Sequence, residues 1–242
     1  MKHLIVGGVA GGATAAARIR RIAEHDEIIL FEKGEHISYA NCGLPYYIGG
    51  TIEDRDKLLV QTPEAFRQRF AIDVRTNSEV TAICPDRKTV EVRTSDRKIY
   101  EESYDRLLLS PGAVPFRPDL PGIDLPGIFT LRNVADTDAI KQYMATHNVR
   151  RAIVIGGGFI GLEMAENLHE TGAHVSVVEM SDQVMAPIDY SLASMVHQHL
   201  IQKGVSLFLK TAVTGFESRN DSIEISFASG EKAMADIVIL SI

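Results

Sequence analysis

The chain has 242 residues and a formal net charge of −7, with 45% hydrophobic and 24% charged residues, which is an ordinary globular composition with room for one large or two modest domains. The mild acidity argues against nucleic acid as a partner, because a phosphate-binding face needs clustered Lys and Arg. No apolar run reaches the roughly 18 residues of a membrane span, the opening MKHLIVGGVAGG is not a signal peptide, and two cysteines give no disulfide framework, so a cytoplasmic location is expected.

The first predicted element is a strand, HLIV. It runs straight into Gly7, Gly8, Val9, Ala10, Gly11 and Gly12 and then into an alanine-rich helix. A pyrophosphate needs backbone N–H groups at a helix N-terminus with no side chains in the way. In a G-x-G-x-x-G register Gly7 is the first glycine and Gly12 the third, with Val9 in the middle position, so the pattern is imperfect. The next apolar run, EIILFE, ends at Glu32, 20 residues after Gly12, with Lys33 following it. That is where an acid accepts hydrogen bonds from an adenosine ribose. The competing reading is a glycine turn without a ligand; Glu32 and the strand leading into the glycines favour a dinucleotide.

Next comes ISYANCGLPYYIGG, which holds Cys42. NCGLPYYI reads as a helix start, with Asn41 or Cys42 at the cap and Pro45 in the first turn. A thiolate at a helix N-terminus is stabilised by unpaired N–H groups. The plainer reading of a free cysteine is a small buried hydrophobe, and that is the reading for Cys84, which ends EVTAIC against Pro85.

DVRTNSEVTAIC, KTVEVRTS and RKIYEESYDRLLLS alternate in part and predict a small antiparallel meander. SPGAVPFRPDLPGIDLPG, with five prolines, reads as a boundary crossing, and a helix is expected over 136–146. The opening pattern then recurs. A strand leads into Gly156, Gly157, Gly158, Phe159, Ile160 and Gly161, a full G-x-G-x-x-G match, and HVSVVE ends at Glu179, 18 residues after Gly161. A carboxylate there favours a free 2′-hydroxyl and repels a 2′-phosphate. Met180, Ser181 and Asp182 supply no cation, so NADH is the expected donor, with NADPH as the alternative through Ser181 or a lysine from elsewhere. A helix over 190–203 and further strands to Leu240 complete the pattern. His197 and His199, two apart on that helix, point away from each other, and no metal site is expected. The chain stops on the apolar run ADIVILSI, which reads as a cut through a longer protein.

The fold class is therefore α/β. Two Rossmann-like βαβ nucleotide-binding domains, 1–114 and 115–242, are expected, with an antiparallel meander inserted in the first. Two dinucleotide sites in one chain suggest two cofactors exchanging electrons.

GGVAGGATAAARIRR, EKGEHISYANCGLPYYIGG, YDRLLLSPGAVPFRP and LRNVADTDAIK together resemble the flavin-dependent pyridine nucleotide–disulfide oxidoreductases that use one active cysteine. Within them the resemblance is greatest to the coenzyme A-disulfide reductases, including rhodanese-fused relatives that reduce CoA-persulfide and polysulfide. The resemblance implies an enzyme that passes hydride from NADH through FAD to a mixed disulfide between Cys42 and coenzyme A. It implies FAD in the first domain, 1–114, and NAD(H) in the second, 115–242. It places Ser38 and Asn41 at the thiol end of CoA and the flavin edge. Thr14, Arg18 and Arg21 fall where the CoA nucleotide is held. Ser110, Pro111, Gly112 and Ala113 fall beside the flavin nucleotide, and Glu163 near the nicotinamide. A position that is basic in some members is Phe70 here, with Arg67 or Arg69 as substitutes. The resemblance also implies a missing second half of the flavin domain, a dimerisation domain and a homodimer. The alternatives are an NADH oxidase or peroxidase cycling Cys42 through a sulfenic acid, or a non-catalytic redox module.

Overall fold

The computed structural model describes residues 1–242. In chain order the first elements are β1 (Lys2–Val6), α1 (Ala10–Ile22), β2 (Glu27–Phe31), the short helix α2 (Leu44–Gly49), α3 (Pro63–Phe70) and β3 (Asp73–Arg75). They continue with β4 (Ser78–Cys84), β5 (Thr89–Thr94), β6 (Ile99–Ser103) and β7 (Arg106–Leu109). The second half holds β8 (Ile128–Thr130), α4 (Val134–Thr146), β9 (Arg151–Ile155), α5 (Phe159–Glu170), β10 (His174–Val178) and α6 (Tyr190–Gln202). It closes with β11 (Ser206–Phe208), β12 (Val213–Arg219), β13 (Ser222–Phe227), β14 (Lys232–Ala235) and β15 (Ile237–Leu240).

The chain forms two compact units. The first is Met1–Ala40 with Asp56–Ala113, and the second is Asn41–Arg55 with Val114–Ile242. In the first, a parallel sheet has strand order β3-β2-β1-β7. Its strands alternate in the usual period of two. Ile5, Ile28 and Leu30 face α1 and α3, where Ala13, Ala16 and Phe66 meet them. Alanines let α1 lie close to the strands, and the third glycine of the loop starts that close approach. Leu4, Ile29 and Phe31 face the other way and are covered by Val90 and Val92 of the antiparallel sheet β4-β5-β6.

The second unit repeats the plan. Its parallel sheet is β11-β10-β9-β15-β8, the first order with one strand added. Ile153, Ile155, Val178, Val238 and Leu240 pack against Phe216, Ile225 and Phe227 of the antiparallel sheet β12-β13-β14. α5 covers β9 and β10 through buried Met164, Ala165 and Leu168. α4 begins with a complete capping box between Asn133 and Asp136, two residues earlier than expected.

Three expectations need correction. β3 and β7 are not part of the meander: they pair parallel with β2 and β1 and form the outer strands of the main sheet. Short alternating runs look alike in sequence whichever sheet they join. The helix cap after the cysteine is Gly43, because Asn41–Gly43 form a 3-10 turn ahead of α2. Pro45 still lies in the first turn. Finally, Asn41–Arg55 lies in the second unit, although sequence order puts it in the first domain. Leu44, Pro45 and Ile48 are buried there, where α2 packs against α4 and α5.

Candidate functional site

Each unit carries a glycine cradle at the C-terminal end of a central strand of its parallel sheet, β1 in the first and β9 in the second, and the two cradles match atom for atom in several places. Gly7 and Gly156 have φ of +97° and +106°, a left-handed backbone that favours glycine. A Cβ on Gly7 would lie 2.0 Å from Ser110 O, and one on Gly156 would lie 2.2 Å from Ser241 O. Ser110 N donates to Val6 O and Ser241 N to Ile155 O, each at 2.8 Å, so both serines close their loops in the same way. Behind them Gly12 and Gly161 leave no room for a side chain, with the carbonyl oxygens of Gly7 and Gly156 lying 1.7 and 2.0 Å from the respective Cβ positions.

The carboxylates match too. Glu32 Oε2 accepts from Gly8 N at 2.8 Å and Oε1 from Gly34 N at 2.9 Å. Glu179 Oε2 accepts from Gly157 N at 2.7 Å and Oε1 from Ser181 N at 2.7 Å. Burial raises the Glu179 pKa, but the N–H groups of Ser181 and Gly157 together outweigh it and hold the group below the usual carboxylate range. Glu179 is therefore ionised at neutral pH. Each carboxylate is braced by its own loop and keeps lone pairs for further donors.

The loops then diverge. Nothing lies within 4 Å of a Cβ on Gly158, so the protein itself does not require a glycine there. The corresponding position in the first loop is Val9. Gly158, Phe159 and Ile160 are exposed, as is Ala10 in the first cradle, while Gly11 faces Ser110 Oγ. Glu163 is half-buried on α5, and Lys33, Pro111, Gly112 and Ala113 are exposed.

On α1, Thr14, Arg18 and Arg21 are all exposed and recur at spacings of four and three, which places them along one stripe. Arg21 also donates to Ala17 O at 3.2 Å. Arg20, which sequence reasoning passed over, is structural: it donates to the carbonyls of Phe70, Ala71, Glu24 and Asp26. Of the two substitutes for a basic residue at Phe70, Arg67 is engaged with Val74 O and Glu64. Arg69 is exposed and lies over the Phe70 ring at 5.2 Å.

Ser38 takes a left-handed φ of +46°; its N–H donates to Gly8 O, and its own carbonyl accepts from Val60 N. Cys42 is exposed. It stands one residue ahead of the Gly43 cap, and α2 has only six residues, so the helix-end support expected for a thiolate is slighter than the sequence suggested. Asn41 Oδ1 is buried with no hydrogen-bond partner. Cys84 is half-buried at the end of β4, with the Arg87 guanidinium 3.4 Å from its sulfur, rather than a core residue.

The cysteine segment is fastened at three points. Lys141 Nζ donates to Tyr47 O at 2.8 Å and sits 4.0 Å from the Tyr47 ring centroid. A Cβ on Gly49 would lie 2.4 Å from Asn167 Oδ1 on α5. Arg55 Nε and Nη2 form a fork on the Asp138 carboxylate, with Nη2 at 2.6 Å. Asp138 and Lys141 stand one turn apart on α4, a pairing that nothing in the sequence links to residues 41–55. No cluster of three His, Cys, Asp or Glu side chains is arranged for a metal ion, and no helix is long and apolar enough to cross a membrane.

Two parallel sheets of one strand order, each with a glycine cradle and a braced carboxylate, define a two-dinucleotide oxidoreductase fold. The chain belongs to the pyridine nucleotide-disulphide oxidoreductase family, whose sequence pattern matches residues 1–242. It is 40% identical over 245 residues to the coenzyme A disulfide reductase of Staphylococcus aureus strain JH9, covering 98% of this chain and 53% of that protein. It superposes on reduced CoADR-RHD from Bacillus anthracis with TM-score 0.96 and 51% identity, over 100% of this chain and 43% of that one. It also superposes on the NAD-dependent persulfide reductase from A. fulgidus with TM-score 0.94 and 36% identity, over 99% of this chain and 45% of that one. The chain thus spans about half the length of the curated relatives it matches.

Proposed function

We propose that this chain is the nucleotide-binding portion of an FAD-dependent reductase that uses NADH to reduce CoA-disulfide, CoA-persulfide or polysulfide at Cys42. The observation that carries the reading is the pair of matched cradles, together with a single exposed cysteine between them in sequence. The residues fit the groups. In the first cradle Gly7, Gly8, Gly11 and Gly12 keep side chains out of the way of a pyrophosphate at the N-terminus of α1, with Glu32 for the ribose and Lys33 and Ser110–Ala113 beside the flavin nucleotide. In the second, residues 156–161 and Glu179 hold the nicotinamide dinucleotide, with Glu163 toward the nicotinamide. Thr14, Arg18 and Arg21 offer hydroxyl and guanidinium groups to the CoA phosphates, and Ser38 lies toward the thiol end. The unpartnered Oδ1 of Asn41 offers an acceptor to an amide N–H of the pantetheine arm.

Bound flavin supplies two-electron chemistry between a nicotinamide and a sulfur–sulfur bond. The chain's own part is exchange. The Cys42 thiolate attacks one sulfur of CoA-disulfide and forms a new S–S bond with that half. The other half leaves as CoA thiolate and takes a proton from solvent. Exposure of Cys42 gives the substrate access. With no partner five residues to either side, where Ile37 and Tyr47 stand, a C-x-x-x-x-C dithiol pair is not available. Ionised Glu179 favours NADH, since a 2′-phosphate would meet a carboxylate.

Mass spectrometry of the protein after CoA-disulfide treatment tests the central claim. A CoA adduct on Cys42, absent in Cys42→Ser, is expected, while one added oxygen would shift the assignment to the peroxidase reading. Fluorescence titration should show NADH binding at least tenfold tighter than NADPH, a difference of about 1.4 kcal/mol. Equal affinities would remove the role given to Glu179.

A further inference from the structure

His197 lies on α6 and is only 8% exposed, yet the chemistry proposed above does not use it. Its Nε2 accepts a hydrogen bond from Val184 N at 3.1 Å, and Tyr190 stands edge-on to its ring. Accepting at Nε2 fixes the neutral tautomer with the proton on Nδ1. Val184 is fully buried and fills the space over Gly157, where a Cβ would come within 2.7 Å of its Cγ1. The next residue, Met185, donates from its N–H to Gly157 O at 2.8 Å in a left-handed conformation, φ +53°. Gly157 N in turn donates to Glu179 Oε2 at 2.7 Å. An unbroken series of contacts therefore runs from the His197 ring through Val184 and Gly157 to the ribose-facing carboxylate.

We propose that His197 is a positioning residue for the second nucleotide cradle: by holding the Val184 N–H it seats the 181–188 loop against Gly157 and so sets the geometry of Glu179. The first cradle has the same loop contacts without α6. Ile37, also fully buried, lies 2.7 Å from the Cβ position of Gly8, and Ser38 N donates to Gly8 O at 3.0 Å, again with a left-handed residue. The imidazole is what the second cradle adds. A backbone N–H buried beside an apolar replacement loses its acceptor and its solvent together, so the loop must move to satisfy it.

This inference rests on the reading that the second cradle binds NADH, and the test separates the two. The whole chain is prepared as wild type, His197→Leu and His197→Gln; the Gln Oε1 reaches the place of Nε2 as an acceptor. Amide exchange at Val184 and the affinity for NADH are measured in all three. In His197→Leu the Val184 amide should exchange about tenfold faster and the Kd for NADH rise about tenfold, with both restored in His197→Gln. The imidazole nitrogen shifts of wild type should report the Nδ1–H tautomer. Unchanged Val184 exchange in His197→Leu overturns the proposal whether or not NADH binds. So does an affinity equal to wild type. Wild type that shows the expected exchange differences but no NADH binding overturns the nucleotide reading and removes the cradle role of His197.

Discussion

The two glycine cradles were built to one plan and differ in what the plan leaves free. In both, the first glycine is fixed by a left-handed φ and a serine carbonyl, the third by the loop's own backbone, and the glycine after the first by a buried aliphatic residue. Of the three motif positions only the middle one varies, Val9 in the first loop and Gly158 in the second, and at Gly158 the protein makes no demand. The lesson is that two kinds of constraint are mixed in such a motif. Some glycines exist for the fold and would be needed by an empty loop. The middle one answers to whatever approaches from outside.

The largest expected effect tests the shared frame. Gly7→Ala and Gly156→Ala each force a side chain against a carbonyl at a left-handed position, and each should cost about 3 kcal/mol or more in urea unfolding. If one halved the stability and the other left it intact, the equivalence of the two loops would be wrong.

An intermediate effect sharpens a second correspondence. Asp105 Oδ2 accepts from Lys2 N at 2.7 Å and Asp236 Oδ2 from Arg151 N at 2.9 Å, each tying the start of the strand that leads into the cradle, β1 or β9, to the strand that follows the antiparallel sheet. Only the second aspartate is also met by a guanidinium, at 2.7 Å from Arg151, and by the Ser222 hydroxyl. Burial raises the pKa of Asp236, and the Arg151 guanidinium, the Arg150 and Arg151 N–H groups and the Ser222 hydroxyl outweigh it, lowering it to about 2. Because the folded value lies below the unfolded one, this stabilisation is complete above pH 4 and is lost as pH falls from about 4 to about 2. Asp236→Asn should therefore remove roughly 1–2 kcal/mol at neutral pH and flatten that acid limb. Asp105→Asn should do less; equal losses in paired acid titrations would erase the distinction.

The smallest effect falls where the loops differ. Gly158→Ala should change stability by less than about 0.5 kcal/mol, since the new methyl meets open space. The Kd for NADH should nevertheless rise, because the backbone then stands off from the pyrophosphate. A variant that unfolds early, or binds NADH as wild type does, contradicts that division of labour.

Much of this was legible in the sequence. Repeated glycine clusters, each followed by an apolar run ending in Glu, announced two βαβ units, and the structure has Gly7 and Gly156 at the left-handed turns and Gly12 and Gly161 against their carbonyls. Buried His197 and exposed His199 point apart, as their spacing of two on one helix implied. What stayed hidden was long-range. Ser241, Val184 and Ile37 shape the cradles from a distance in sequence, and their side chains are ordinary. β3 and β7 look like meander strands because alternation does not reveal a strand's neighbours. The link from Lys141 and Asp138 to residues 41–55 is invisible because a lysine contact to a backbone carbonyl carries no residue signature on the receiving side, and Arg55 and Asp138 stand 83 residues apart among many other charged pairs.

That last link has a practical consequence for dissecting the protein. A linear cut near residue 113 follows the proline-rich crossing and looks like a clean separation of halves. It would in fact leave α2 on a piece lacking α4 and α5, with Leu44, Pro45 and Ile48 stripped of their cover. The piece bearing the thiol would tend to clump, and its partner would carry an open scar. Anyone wishing to study the cysteine apart from the first cradle would need to graft residues 41–55 onto the second half, treating the gene's order as a poor guide to which parts belong together.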